Sequence, residues 1–140
     1  MTVPVWLTAW QVAEDHVRVG VGDRVAWGLS ATDQKWLARL FGARLSVALQ
    51  LDTYLGGTPG IPSHPLMGVV SSVQAAWCRQ VAVPGDGLHP RGGEATLETV
   101  VDTRGAWNTS TANRRRRMDG EDLYGYVIQV ETADVTPRVS

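Results

Sequence analysis

The densest charge in the chain is a run of four arginines that follows a tryptophan by a few residues. The residues are Trp107, Arg114, Arg115, Arg116 and Arg117. Guanidinium groups pair with phosphate oxygens, and exposed indoles stack on unpaired bases. Three acids within residues 119–122 follow at once and offset the positive charge. The run therefore indicates either a contact to single-stranded nucleic acid or a solvated loop, and the sequence leaves both open.

A second group with possible chemistry contains one thiol and two imidazoles, at Cys78, His64 and His89. A thiolate activated by the neighbouring Arg79, with a histidine as base, could act as a nucleophile. A buried cysteine is more often inert packing, and both histidines lie in loops rich in proline and glycine. We expect a core thiol and two solvated histidines, with a pocket formed by the three residues as the alternative.

Motifs that would identify an enzyme are missing from the sequence. It has no Gly-x-Ser-x-Gly element, no Gly-Lys-Ser/Thr phosphate loop and no Cys-x-x-Cys pair. The Gly20-Val-Gly22 segment lacks the third glycine of a dinucleotide fingerprint, and the acids at 119–122 do not have EF-hand spacing. We therefore predict no catalytic residue, no metal and no cofactor, which favours a non-enzymatic protein.

Length and composition indicate one soluble domain over residues 1–140. The chain is 44% hydrophobic and 19% charged, with a net charge of −1, so bulk charge implies neither nucleic acid nor membrane. No apolar run approaches the ~18 residues of a membrane span, and the first residues do not have a signal-peptide pattern. A single cysteine cannot form an internal disulfide, which fits a cytoplasmic location.

The elements that must position these residues are mostly strands. Alternation of apolar and polar residues predicts strands over 3–10, 17–19, 24–29, 44–51, 67–83, 95–102 and 123–135. The segment 67–83 is either one long strand or a bent pair. The first of these would carry Trp6 and Trp10 on one face. One helix is predicted over 30–41, capped by Ser30 and ended by Gly42. Proline, glycine and polar clusters predict a turn at 11–16, loops at 56–65 and 84–93, and a flexible loop at 103–122.

Short strands with such connections are typical of a mainly β fold. We predict a small antiparallel barrel or sandwich, SH3-like or OB-like, with one packed α-helix. Six tryptophans accompany a single phenylalanine, and we expect them to serve both the core and a binding surface.

Several short motifs together resemble a family of small, uncharacterised actinobacterial proteins, a domain of unknown function. They are Val-Trp at 5–6, Trp-Gln at 10–11, Val-Gly-Asp at 21–23, Val-Ala-Trp at 25–27, Asp-Gln-Lys-Trp-Leu at 33–37, Val-Pro-Gly-Asp-Gly at 83–87 and Gly-Tyr-Val at 125–127. The resemblance covers nearly the whole chain, although the segment 113–122 departs from it. It implies a cytosolic bacterial protein of one domain and brings no catalytic residue.

These observations favour a non-enzymatic binding or interaction module. We expect its partner to be a protein or a second copy of the chain, docked on an exposed tryptophan surface or a sheet edge. Two alternatives stay open. One is single-stranded nucleic-acid binding through 114–117 and exposed tryptophan, and the other is a small enzyme or sensor with the His64, Cys78 and His89 pocket.

The nucleic-acid alternative makes a direct prediction. Replacing all four residues of 114–117 with serine should weaken binding of a fluorescent single-stranded oligonucleotide and flatten its dependence on salt, because fewer counterions are released. Fluorescence anisotropy at several salt concentrations measures both effects. Wild-type protein that binds no oligonucleotide at low salt would exclude this alternative.

Overall fold

The structure, a computed structural model, describes residues 1–15, 17–51, 64–103 and 121–132. Within these ranges it is mainly β, as predicted, with seven strands and two helices where one helix was expected. In chain order they are β1 (Thr2–Thr8), α1 (Ala9–Asp15), β2 (Arg24–Ala31), α2 (Gln34–Phe41), β3 (Leu49–Gln50), β4 (His64–Val83), β5 (Gly87–Pro90), β6 (Thr96–Val100) and β7 (Glu121–Thr132).

Five of the strands pair in a ring. β1 pairs with β7, β7 with β4, β4 with β2, β2 with β3, and β3 returns to β1. The β1–β3 pairing is parallel and the other four are antiparallel. β4 is one strand of 20 residues, with register shifts at Val70/Ser72 and Ala76/Trp77. Its length lets it also pair with β5 and β6.

The two faces of the central strands bury two separate apolar clusters. Every strand of the ring contributes to the first cluster, which includes Val5, Leu29, Val73 and Ile128 and therefore fills the ring. The second cluster lies on the opposite face and packs α2 against the sheet. Its buried members are Trp6, Leu37, Leu40, Phe41, Val47, Ala76, Cys78, Ala95 and Val127. Alternation along β1, with Val5 and Leu7 on one face and Trp6 on the other, is as predicted.

The helix α2 begins later than the sequence pattern suggests. Ser30 and Ala31 stay in β2, so the predicted Ser30 cap is wrong. Asp33 caps the helix instead, with its Oδ1 accepting a hydrogen bond from the Trp36 N–H at 3.1 Å. Gly42 ends the helix as predicted, at a φ of 61° and with its N–H donating to the Ala38 carbonyl.

The helix α1 occupies the end of the first predicted strand and the predicted turn at 11–16. Thr8-Ala9-Trp10-Gln11 has the Thr-x-x-Gln spacing of a capping box, a helix-start signal that the strand interpretation passed over. The Thr8 hydroxyl donates to Gln11 Oε1 at 2.9 Å. Trp10 therefore lies on a helix and not on a strand. In the described parts of the chain, no helix combines the length and the apolar character needed to cross a membrane.

Other elements differ from the sequence prediction, because hydrogen-bond partners determine where strands form. Residues 17–19 form no strand, although Val19 and Thr103 exchange hydrogen bonds. Of the predicted strand 44–51, only Leu49–Gln50 forms a strand, although the Ala48 carbonyl and the Leu51 N–H also bond to Thr32 and Trp6. The predicted loop 84–93 contains β5, and the predicted loop 103–122 ends inside β7. Residues 52–63, 104–120 and 133–140 lie outside the described residues, with most of the predicted loops at 56–65 and 103–122.

A close approach between β1 and β7 depends on the glycine at position 125. Gly125 is paired with Thr8 across the sheet, and the Trp6 indole and the Leu7 carbonyl lie directly over it. A Cβ at this position would lie 2.4 Å from the Leu7 oxygen and 2.6 Å from Trp6 Cη2. Any side chain here would force β1 and the indole away from β7.

We expect Gly125→Ala to lower the free energy of unfolding by about 2–3 kcal/mol, the scale of overpacking in a tight interior. Chemical denaturation followed by circular dichroism measures the loss. Gly92→Ala is the matched control, because the nearest atom to a Cβ there is 3.8 Å away. Equal stability of Gly125→Ala and Gly92→Ala would contradict the close approach of β1 to β7.

Candidate functional site

A cavity of about 270 Å³ lies where β1, α1, β3 and the start of α2 meet. We call it the tryptophan pocket, because three of the six tryptophans line it. Its lining residues are Trp6, Thr8, Trp10, Gln11, Asp33, Trp36 and Gln50. The prediction that Trp6 and Trp10 share one face of a strand was wrong, because Trp10 lies on α1. The two indoles nevertheless line the same cavity.

The three indoles differ in how they are held. Trp6 is fully buried and contacts the Phe41 ring edge-on, with centroids 6.4 Å apart and planes at 89°. Trp36 is half-buried, 5.9 Å from the Tyr124 ring. Trp10 is 54% exposed. The pocket therefore has a fixed aromatic floor and one indole that faces solvent.

The polar side chains of the pocket hold one another in place. Gln50 Oε1 accepts a hydrogen bond from the Asp33 backbone N–H at 3.2 Å, which ties β3 to the start of α2. The bond between Thr8 and Gln11 ties β1 to α1. Asp33 is the one charged residue among the described residues that line the pocket. The pocket is therefore preorganised, with polar groups and indoles in one lining.

The size and lining of the pocket limit its chemistry. Sites for cofactors and drug-sized ligands usually measure about 300–1,000 Å³, so about 270 Å³ suits a single side chain or a group of similar size. Its described lining holds no cysteine, histidine, serine or lysine, and Asp33 supplies the one carboxylate. The arrangement can bind a group of this size.

The structure places His64, Cys78 and His89 at different points along β4 and β5. His64 is exposed at the first residue of β4, opposite Leu29, and Cys78 lies fourteen residues further along the same strand. His89 lies on β5 opposite Val81, with its Nε2 3.0 Å from Asp86 Oδ2. Cys78 and His89 thus belong to the same end of β4, and His64 belongs to the other.

The surroundings of Cys78 favour the neutral thiol. The side chain is fully buried beneath α2, and its Sγ lies 3.3 Å from the Arg91 carbonyl oxygen. Burial raises the pKa of the Cys78 thiol, and the carboxylates of Glu94 and Glu121 raise it further. A nucleophilic cysteine needs the opposite shift.

The remaining predicted site residues cannot be placed. Trp107, Arg114, Arg115, Arg116 and Arg117 lie outside the described residues. Among the residues that are described, no three histidine, cysteine or acidic side chains cluster as metal ligands would. The sequence analysis did not predict that Gln11, Asp33 and Gln50 lie beside the indoles. Two signals were present in the sequence: the surplus of tryptophan and the Thr-x-x-Gln spacing that begins α1.

We expect iodoacetamide to label Cys78 in the folded protein at pH 7.5 at least about 100-fold more slowly than in unfolded chain, because labelling requires opening. Mass spectrometry over time measures the rate. Rapid labelling of the folded protein would instead support the reactive-pocket alternative.

The raised pKa of Cys78 also predicts how stability depends on pH. The free energy of unfolding of the wild type, relative to Cys78→Ala, should fall as pH rises above the thiol pKa of the unfolded chain, ~8.5.

Comparison with known proteins gives a family and no activity. No curated protein and no solved structure matches the chain. One family model, DUF6578, described as a family of unknown function, matches residues 1–132, which include every described strand and helix. The chain therefore belongs to the DUF6578 family.

Proposed function

We propose that the protein is a non-enzymatic binding module that docks a protein partner at the tryptophan pocket. The observation that carries the proposal is the convergence of Trp6, Trp10 and Trp36 from three different elements on one cavity of side-chain size. Indoles concentrate at the centres of protein interfaces, where they supply a large contact area with little conformational freedom to lose.

The exposure of Trp10 supports docking from solution. A large apolar side chain that is 54% exposed gains free energy when a partner covers it. The adjacent Trp6 and Trp36 are already fixed by Phe41 and Tyr124, so an incoming anchor meets a surface that needs little rearrangement. Both features are typical of an anchor site for one projecting side chain.

Three finer expectations accompany this proposal. We propose that the strand ring is a small barrel of the SH3-like or OB-like kind, supported by the closed pairing of five strands. We propose an actinobacterial origin, supported by twelve arginines against one lysine, the pattern of a GC-rich genome. A cytoplasmic location is supported by the single cysteine, Cys78, which is a free thiol.

The test compares partner affinity between two variants that each remove one exposed apolar side chain. Trp10→Ala empties one wall of the tryptophan pocket and keeps a residue that favours the helix α1. Leu88→Ala is the control, since Leu88 is 63% exposed on β5 and lies outside the pocket. The partner is cross-linked and identified from the cells that express the protein, then purified for titration.

We expect Trp10→Ala to raise the dissociation constant by about 10- to 30-fold, as truncation of an interface anchor does, and Leu88→Ala to leave it unchanged. Isothermal titration calorimetry measures both. Equal affinity of Trp10→Ala and wild type would overturn the proposal, as would a wild-type protein that recovers no partner at all.

A further inference from the structure

We infer that the tryptophan pocket accepts a guanidinium group, the side chain of an arginine on the partner. This inference deepens the proposed function and rests on it. It names the chemical class of the anchor that enters the pocket, and it is argued from the charge, the aromatic walls and the hydrogen-bond acceptors of the described residues.

The charge of the pocket points to a cation. Asp33 carries a carboxylate at the rim, and no basic residue is among the described residues that line the cavity. Lys35 follows two positions later on α2 but does not line it. The N-terminal end of α2, which would otherwise attract an anion, is already capped by the Asp33 carboxylate. An anionic ligand would therefore meet repulsion from the Asp33 carboxylate.

The indoles favour a flat cation over a compact one. A guanidinium is planar, is more weakly hydrated than an ammonium, and stacks on aromatic faces. Trp10 and Trp36 border the same cavity as the Asp33 carboxylate, so one group can contact an indole face and the charge together. The cavity volume of about 270 Å³ leaves room for such a side chain and for little more.

The acceptors of the pocket match a group that only donates. A guanidinium presents five N–H donors and no acceptor. Asp33 Oδ1 accepts one backbone hydrogen bond, and an ionised carboxylate has about four lone-pair sites. The Asp33 carboxylate can therefore accept further hydrogen bonds from the ligand.

The variant Asp33→Asn tests the charge of the pocket separately from the stability of the fold. Asparagine caps helices as well as aspartate does, so α2 keeps its N-cap while the pocket loses its charge. We expect the variant to unfold at the same denaturant concentration as wild type, whereas Asp33→Ala, which removes the cap, should unfold at a lower one. A change in ligand affinity in Asp33→Asn then reports on the charge alone.

The probe is N-acetyl-arginine methylamide, with the citrulline analogue as its neutral match, since a urea replaces the guanidinium at nearly unchanged shape. The readout is the set of six indole N–H signals in a ¹H–¹⁵N correlation spectrum, assigned with Trp→Phe variants. We expect the arginine probe to shift the signals of Trp6, Trp10 and Trp36. Asp33→Asn should raise its dissociation constant by about three- to fivefold, the effect of one exposed ion pair.

Each other outcome decides against the inference. The absence of a shift in these three signals at about 50 mM probe would overturn the inference, because that concentration reveals even millimolar affinity. Equal binding of the citrulline probe would show that charge is not recognised. Tighter binding of N-acetyl-lysine methylamide or of methyl glucoside would assign the pocket to a different ligand class.

Failure of the inference is distinguishable from failure of the proposed function. If the arginine probe does not bind but Trp10→Ala still weakens the partner complex, the pocket docks a different side chain. If Trp10→Ala leaves the partner complex unchanged, the pocket is not the docking site, whatever the probe does.

Discussion

The Trp6 indole lies against the bare backbone of Gly125, and much of the structure depends on this contact. Because no side chain separates them, β1 approaches β7 closely enough for the indole to reach the cluster beneath α2. There it meets Phe41 at an angle of 89° and helps to anchor the helix to the sheet. The same indole forms the floor of the tryptophan pocket. One close approach thus links the strand ring, the helix and the candidate site.

The long strand β4 explains how two apolar clusters coexist in a chain of this size. Successive side chains along a strand face opposite ways, so Val73 enters the ring while Ala76 and Cys78 face α2. The register shift at Val70/Ser72 changes this alternation, because Leu66 and Val70 face the ring before it and Val73, Ala75 and Trp77 face the ring after it. The Trp77 Nε1 donates to Glu98 there. Cys78 is therefore a packing residue of the second cluster, and its raised pKa follows from that burial.

The polar residues that line the candidate site also make hydrogen bonds that stabilise the fold. Asp33 caps α2, Gln50 joins β3 to that cap, and Thr8 and Gln11 fix the start of α1. Each of these residues also lines the tryptophan pocket. Structural hydrogen bonds thereby hold the pocket in one arrangement before a ligand arrives, which lowers the entropy that binding loses. A site built this way suits recognition of a fixed shape and charge.

The sequence by itself determined the strand-rich composition, the alternation along β1 and along 126–130 of β7, the end of β4 at Val83 and the end of α2 at Gly42. These follow from local periodicity and from the backbone freedom of glycine, which neighbours in the chain reveal. Only the tertiary structure decided that Trp10 lies on a helix, that 44–51 forms a strand over two residues, and that Asp33 and Gln50 meet three indoles. Those outcomes depend on hydrogen-bond partners and packing contacts between residues far apart in sequence, which no local pattern specifies.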